Sequence, residues 1–263
     1  MKKFTEEQLK VIKSSANHLA VIAGAGTGKT TVLTEKIKYL INEGVNPSKI
    51  LAITFTRKAA KEMSHRIKND LVKVSTFDAY CYNLVKDELK INIIEDNIPF
   101  YQKEVLSFHL YDANLKKGKK PIGYESYIDF KNKNNLKDFN DLAYLALKKL
   151  SYHNYEYILV DEFQDTNPLQ LRVLSKLIKT NVKSIIVGDP DQSIYGFRGA
   201  KKQVFDMYIN YYQAKVIRLT YNFRSNKKII NSATTNIKKI FISLLNTFRK
   251  NEQTRMSVLH WKD

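Results

Sequence analysis

The residues with the most chemical content stand in one run, Ala23-Gly24-Ala25-Gly26-Thr27-Gly28-Lys29-Thr30-Thr31. The run follows an apolar stretch, Leu19–Ala23, and opens a segment whose apolar residues recur at helical spacing. Glycines let successive backbone N–H groups close around phosphates. A lysine at 29 reaches the outer phosphates of a nucleoside triphosphate, and the Thr30 hydroxyl is a ligand for Mg²⁺. Ala23 stands where the strict form of this loop has its first glycine. A second run, Tyr157-Ile158-Leu159-Val160-Asp161-Glu162, is an apolar strand ending in two carboxylates. Beside a phosphate loop, Asp161 suits Mg²⁺ held through water, and Glu162 suits the orientation and deprotonation of an attacking water. Together the two runs predict a site for ATP and Mg²⁺.

The elements that must hold these residues are short apolar runs followed by helix-like stretches. Leu19–Ala23, Ile50–Phe55, Tyr157–Val160 and Ser184–Val187 read as buried parallel strands. Residues 29–44 and Arg57–Asp70 read as helices, the second opening just after Thr56. The alternation predicts an α/β fold with a parallel sheet. It breaks near residue 86. From there to about 153 the chain is rich in Lys and Asn, with Lys116–Asn135 reading as loop and short helices and Asp138–Leu150 as a helix. We read residues 86–153 as an insertion into one α/β domain. After Tyr221 the pattern is that of a long basic amphipathic helix, and the last ten or so residues read as the start of a strand.

Composition narrows the partner. The chain has 263 residues, 44 Lys and Arg against 26 Asp and Glu, and a formal net charge of +18. The excess lies at the ends, +7 over residues 1–85 and +10 over residues 201–263, around a nearly neutral middle. Self-repulsion on that scale favours an anionic partner, and nucleic acid fits it better than a membrane surface. The single cysteine, Cys81, rules out an internal disulfide and a cysteine-clustered zinc site. The five histidines show no ligand spacing. No apolar run reaches the roughly 20 residues of a membrane span, and the sequence MKKFTEEQLK has no leader-like apolar core. These features predict a cytoplasmic protein with no membrane partner.

Beyond spacing, the residues carry a resemblance. Asp161-Glu-Phe-Gln-Asp-Thr-Asn167 resembles motif II of the UvrD/Rep/PcrA family of superfamily 1 DNA helicases, and Val187-Gly-Asp-Pro-Asp-Gln192-Ser-Ile-Tyr195-Gly-Phe197-Arg198-Gly-Ala200 resembles its motif III. Phe4-Thr-Glu-Glu-Gln8 is similar to the Q motif, Thr54–Met63 to motif Ia, Thr76–Cys81 to motif Ib and Leu219–Ser225 to motif IV. The resemblance implies a RecA-like phosphate-loop domain with an inserted, mainly helical subdomain. It implies that Gln8 recognises adenine, that Phe223 stacks on it, that Gln192 senses the γ-phosphate, and that Arg224 contacts that phosphate and stabilises the transition state. It further implies a single-stranded DNA site at Thr54, Phe55, Arg57, Thr76, Phe77, Tyr195, Phe197 and Arg198, since sequence-tolerant binding needs aromatic faces for bases and hydroxyls or cations for phosphates. Phe197 stands where relatives often have Trp, and Asp78 where many have His.

The expected organisation is an ATP-binding lobe from residues 1–85 and 154–219, an inserted helical subdomain from 86–153, and the start of a second lobe from 220–263. Motifs V and VI are not found in this sequence. The resemblance therefore implies an ATP-dependent DNA helicase or translocase, of 3′→5′ polarity, acting on single-stranded DNA or a single-strand/duplex junction, with a protein partner able to supply the second lobe. The alternative is an ATP- and DNA-binding module with weak turnover inside a larger repair or phage-defence assembly. A small-molecule phosphate-loop kinase would have no use for the aromatic series or for the 161–167 and 187–200 segments.

Overall fold

Strand residues here alternate between two cores, which is what a parallel sheet covered on both faces demands. In the computed structural model, which describes residues 4–87, 92–94, 99–150, 153–179, 181–192, 199–200 and 203–224, the sheet has six strands: β1 (His18–Ala23), β2 (Ile50–Thr54), β3 (Lys73–Thr76), β6 (Tyr157–Val160), β7 (Lys183–Gly188) and β8 (Lys215–Leu219). Their order is β3-β2-β6-β7-β1-β8, and every pairing is parallel. Leu19, Val21, Ile50, Ala52, Leu159, Ile185 and Val187 face one core, with α1 (Glu6–Ile12), α2 (Lys29–Asn42) and α3 (Arg57–Ile67) over it. Ala20, Leu51, Ile53, Ile158, Val160 and Ile186 face the other, covered by α4 (Phe77–Val85), α7 (Phe139–Lys149), α8 (Pro168–Leu177) and α9 (Gln203–Tyr212). This three-layer α/β arrangement is the expected RecA-like fold class. β3 and β8 escaped the sequence reading because both are edge strands with charged, half-exposed residues.

Helix starts follow local chemistry. Thr5 and Gln8 form a capping box at α1, Asn167 and Gln170 another at α8, and Asp138 with Asp141 a third at α7. Thr56 caps α3 and Thr76 caps α4. Between α1 and α2 lies a buried lysine, Lys36, whose Nζ donates to the carbonyls of Ile12 at 3.0 Å and Ser14 at 2.6 Å. It ties the end of α1 to the flank of α2. Burial pulls its ammonium down to about 8, with the charge of Lys183 adding and that of Glu43 opposing.

Residues 86–153 contain more regular structure than their composition suggests. α5 (Gln102–Ala113) and α6 (Tyr124–Lys133) pack through an aromatic cluster of Phe108, Tyr124 and Tyr127, with Phe100 at 5.5 Å edge-on to Tyr127. A short parallel ladder joins β4 (Asn92–Ile93) to β5 (Leu136–Lys137). Lys131, 2% exposed, is held at 2.7 Å from Asp138 and 2.6 Å from Asp141. Burial opposes its charge, but the two carboxylates hold its pKa above the usual lysine value. α7, by contrast, buries Leu142, Ala143 and Ala146 in the core of the sheet. The chain divides into two units, Met1–Tyr221 and Asn222–Asp263. In the second, only 222–224 are described, with the Arg224 amide donating to Asn222 Oδ1 at 2.8 Å. The amphipathic helix and final strand read from the sequence lie outside the described residues.

Candidate nucleotide site and aromatic groove

The loops that could bind ligand all leave the carboxyl ends of parallel strands, where α/β sheets place their sites. After β1, Gly26 and Gly28 take positive φ, 76° and 85°, and Gly28 is the residue before α2. These left-handed positions let the backbone turn back on itself before the helix starts. Thr27 Oγ1 donates to the Gly24 carbonyl at 2.8 Å, tightening the loop. The next residues meet the end of β6. Lys29 Nζ lies 3.1 Å from Glu162 Oε2, and Thr30 Oγ1 donates to Asp161 Oδ2 at 2.7 Å. Asp161 is buried, and burial together with the neighbouring Glu162 pushes its carboxyl up to about 6 against the opposing hydrogen bond from Thr30. Glu162 itself sits at φ 50°, ψ 44°, a strained conformation for a non-glycine residue. Thr31 accepts from Arg66 Nη1 at 3.2 Å.

Behind this pair stands the turn after β7. Gln192 Nε2 donates to Asp189 Oδ2, and a Cβ at Gly24 would stand 3.7 Å from that same carboxylate oxygen. Gln192 is thus brought alongside the phosphate loop. Gln8 is also brought there, but not as an open recognition group. It is 4% exposed, its Nε2 donates to the Thr27 carbonyl at 3.1 Å, and its Oε1 accepts from the Thr5 amide at 3.0 Å. In this arrangement Gln8 braces the loop. Ala23, in place of a glycine, is fully buried in the core at the end of β1. Phe223 and Arg224 belong to the second unit, where both are exposed.

The residues expected to meet DNA gather around two cavities that share Phe55, Asp78 and Phe139. One, of about 330 Å³, is lined also by Arg57, Thr76, Tyr82 and Leu142. The other, of about 320 Å³, is lined also by Thr54, Phe77, Leu106, His109, Asp165 and Asn167. Phe55 is half-buried and Arg57 exposed, as a ligand surface requires. Phe77, though it lines the second cavity, is 6% exposed and packs in the core. Thr76 accepts from the Ala79 amide at 3.2 Å as the cap of α4 and is nearly buried. Thr54 Oγ1 and Asp165 Oδ1, both buried, have no hydrogen-bond partner among the described residues. Burial and the nearby Glu162 push the Asp165 carboxyl up to about 6. Tyr195, Phe197 and Arg198 lie outside the described residues.

Sequence reasoning missed Tyr82, Leu106 and Phe139, which are 37%, 41% and 51% exposed. An apolar residue at an exposed helix start was the available signal for Phe139. It also passed over Gln164 and Asp189, which sit inside quoted motifs. Among the described residues no group of three or more His, Cys, Asp and Glu side chains is placed to hold a metal. A threonine hydroxyl beside one carboxylate at a phosphate loop is nevertheless an all-oxygen donor set that fits Mg²⁺, which keeps several waters and takes its other ligands from phosphate.

A phosphate loop, a paired-carboxylate strand and a polar turn at the carboxyl ends of the interior strands β1, β6 and β7 make a candidate nucleotide site on an α/β domain, and comparison with known proteins gives its family. The family model for the UvrD/REP helicase N-terminal domain matches residues 4–122 and 100–213, and the chain belongs to that family. It is 33% identical to a probable DNA helicase II homolog of Mycoplasma capricolum, over 94% of this chain and 42% of that protein. It is 34% identical to the ATP-dependent DNA helicase PcrA of Staphylococcus epidermidis, over 90% of this chain and 40% of the relative. The chain thus spans about two fifths of the length of these relatives. Among solved structures, the Pif1 helicase of Candida albicans superposes with a TM-score of 0.41 at 16% identity, over 88% of this chain and 43% of that one. No helix of the described residues is long and apolar enough to cross a membrane.

Proposed function

We propose that this chain carries the ATP- and single-stranded-DNA-binding part of an ATP-dependent DNA helicase or translocase, of 3′→5′ polarity. Residues 1–85 and 154–219 form its ATP-binding lobe, 86–153 its insertion, and 220–263 begin a second lobe. The observation that carries the reading is the meeting of Lys29 and Thr30 with Glu162 and Asp161, at 3.1 and 2.7 Å. MgATP entering the loop takes Lys29 away from Glu162 and replaces it with phosphate. Thr30 and Asp161 are the residues to hold Mg²⁺, which when bound neutralises charge on the phosphates. Glu162, released from the ion pair, orients the attacking water and accepts its proton. Gln192 reports the γ-phosphate, and Arg224 with Phe223 adds charge and a stacking face to the nucleotide. Gln8 serves by fixing Thr27, and reaches adenine only on leaving that carbonyl.

Single-stranded DNA, alone or at a junction with duplex, lies along the groove of Phe55, Phe139 and Tyr82, with Arg57 on its phosphates; Tyr195, Phe197 and Arg198 keep the DNA-binding role that the resemblance implies. The second reading, an ATP- and DNA-binding module with weak turnover in a larger repair or phage-defence assembly completed by a partner's lobe, is favoured by the Lys29–Glu162 pair itself, since it keeps the base in an ion pair until nucleotide displaces it. The test is ATP hydrolysis by the chain with and without single-stranded DNA. Strong stimulation supports the motor, nucleotide binding with little turnover supports the module, and no nucleotide binding rejects both.

A further inference from the structure

One buried side chain joins the two halves of the nucleotide site and has no role yet in the account. Gln164 lies in the turn of Phe163–Asp165, directly after the strained Glu162, and is 6% exposed. Its Nε2 donates to Glu162 Oε2 at 2.9 Å, the same oxygen that meets Lys29. Its Oε1 accepts from the Asp189 amide at 3.0 Å. Asp189 in turn holds Gln192 through Oδ2. A continuous run of contacts therefore leads from Lys29 through Glu162, Gln164 and Asp189 to Gln192.

Two features fix Gln164 in this place. A Cβ at Gly188 would come within 2.5 Å of its Oε1 and 3.1 Å of the Phe163 amide nitrogen, so the end of β7 must be glycine for the amide to reach Asp189. The turn itself is anchored by Phe163, fully buried, whose ring lies 5.5 Å from those of Phe205 and Tyr208. An amide is suited to this position because one end donates and the other accepts. It can grip a carboxylate and a backbone N–H at once.

We propose that Gln164 is a positioning residue that holds the Glu162 carboxylate and links it to the Asp189–Gln192 turn. When MgATP draws Lys29 away, Glu162 loses its ion pair but keeps the hydrogen bond from Gln164, and so stays aimed at the attacking water. A shift of the Asp189–Gln192 turn moves Gln164 and with it the base. This inference rests on the assignment of Glu162 as the base.

Two variants separate positioning from mere support of the turn. Gln164→Glu keeps an acceptor for the Asp189 amide but loses the donor to Glu162; Gln164→Leu loses both. Each is made alone and together with Glu162→Ala. Cleavage of ATP with Mg²⁺ and single-stranded DNA is followed with chain in excess, so that slow intrinsic cleavage is enough. Affinity for a fluorescent ATP analogue and a thermal melt are measured beside it. In the Glu162 background both variants should slow cleavage about tenfold, the scale of a misplaced reacting group, with analogue affinity held within about threefold. In the Glu162→Ala background neither should slow it further. Wild-type cleavage by Gln164→Glu, or equal losses in both backgrounds, overturns the inference. A wild-type chain that binds the analogue without cleaving ATP overturns it through the base assignment. A chain that binds no analogue overturns the nucleotide-site reading first.

Discussion

The nucleotide cradle and the aromatic groove lie in the same unit of the chain and arrange their side chains in opposite ways. In the cradle, side chains that would meet ligand are paired with each other: Lys29 with Glu162, Thr30 with Asp161, Gln192 with Asp189. In the groove, Phe139 and Tyr82 stay exposed, and among the described residues the buried Thr54 Oγ1 and Asp165 Oδ1 have no hydrogen-bond partner, burial pushing the Asp165 carboxyl up to about 6. The difference follows from charge. An unpaired ammonium or carboxylate in a half-buried loop is costly, so the cradle folds closed on itself. Exposed aromatic faces cost little, so a groove for bases can remain open. A ligand for the cradle must therefore displace internal partners, whereas one for the groove adds contacts.

The comparison breaks first at Lys29. Lys29→Ala should weaken MgATP binding about 100-fold, the loss of a charge-assisted contact of about 3 kcal/mol, and leave single-stranded DNA binding unchanged. Fluorescent-analogue titration beside oligonucleotide anisotropy checks both; a parallel loss of DNA affinity would mean the two regions are not separate. Phe139→Ala should do the reverse. Loss of one stacking face lowers oligonucleotide affinity about tenfold, with nucleotide binding intact. With Arg57 as the proposed phosphate contact on a chain of net charge +18, the affinity should also fall with salt, and a flat salt dependence would contradict it.

A smaller effect sharpens the rule about buried charge. Lys36 has carbonyl partners but no carboxylate beside it, and releases its proton near 8 in the folded chain, against roughly 10.4 in the unfolded one. Between those values the unfolded state binds more protons, so this lysine's contribution to stability rises with pH. Wild type should gain about 1 kcal/mol on Lys36→Met between pH 8 and 9, read from denaturant midpoints. An unchanged difference would mean that the buried lysine keeps its proton through pH 9, with its pKa not lowered by burial.

The two regions also differ in how much of them the sequence discloses. The cradle is legible because its residues lie in two short runs whose strand and helix context is local. The core strands of the sheet are legible for the same reason, as continuous apolar runs. The groove is not, because Tyr82, Leu106 and Phe139 come from three helices separated by long stretches of chain, and nothing local marks them as neighbours. Phe77 shows the same limit: an aromatic at a helix start reads the same whether it faces solvent or core, and packing alone sets its 6% exposure. Gln8 was read for the adenine it could recognise, but the capping box with Thr5 and the carbonyl of Thr27 already engage both ends of its amide. In the insertion, expected to be mainly helical, α6 falls inside the stretch that reads as loop and short helices, whereas α5 has no apolar stripe to mark its bounds and packs through an aromatic cluster.

The central claim is that Glu162 holds Lys29 in an ion pair that phosphate must displace. The most direct test is the affinity of the wild-type chain and Glu162→Gln for MgATP, titrated side by side with a fluorescent analogue. If Glu162 competes with phosphate for Lys29, removing its charge should tighten binding about threefold, while ATP cleavage is lost. Binding that is unchanged or weaker in Glu162→Gln would show that the pair is no barrier to nucleotide and would contradict the account.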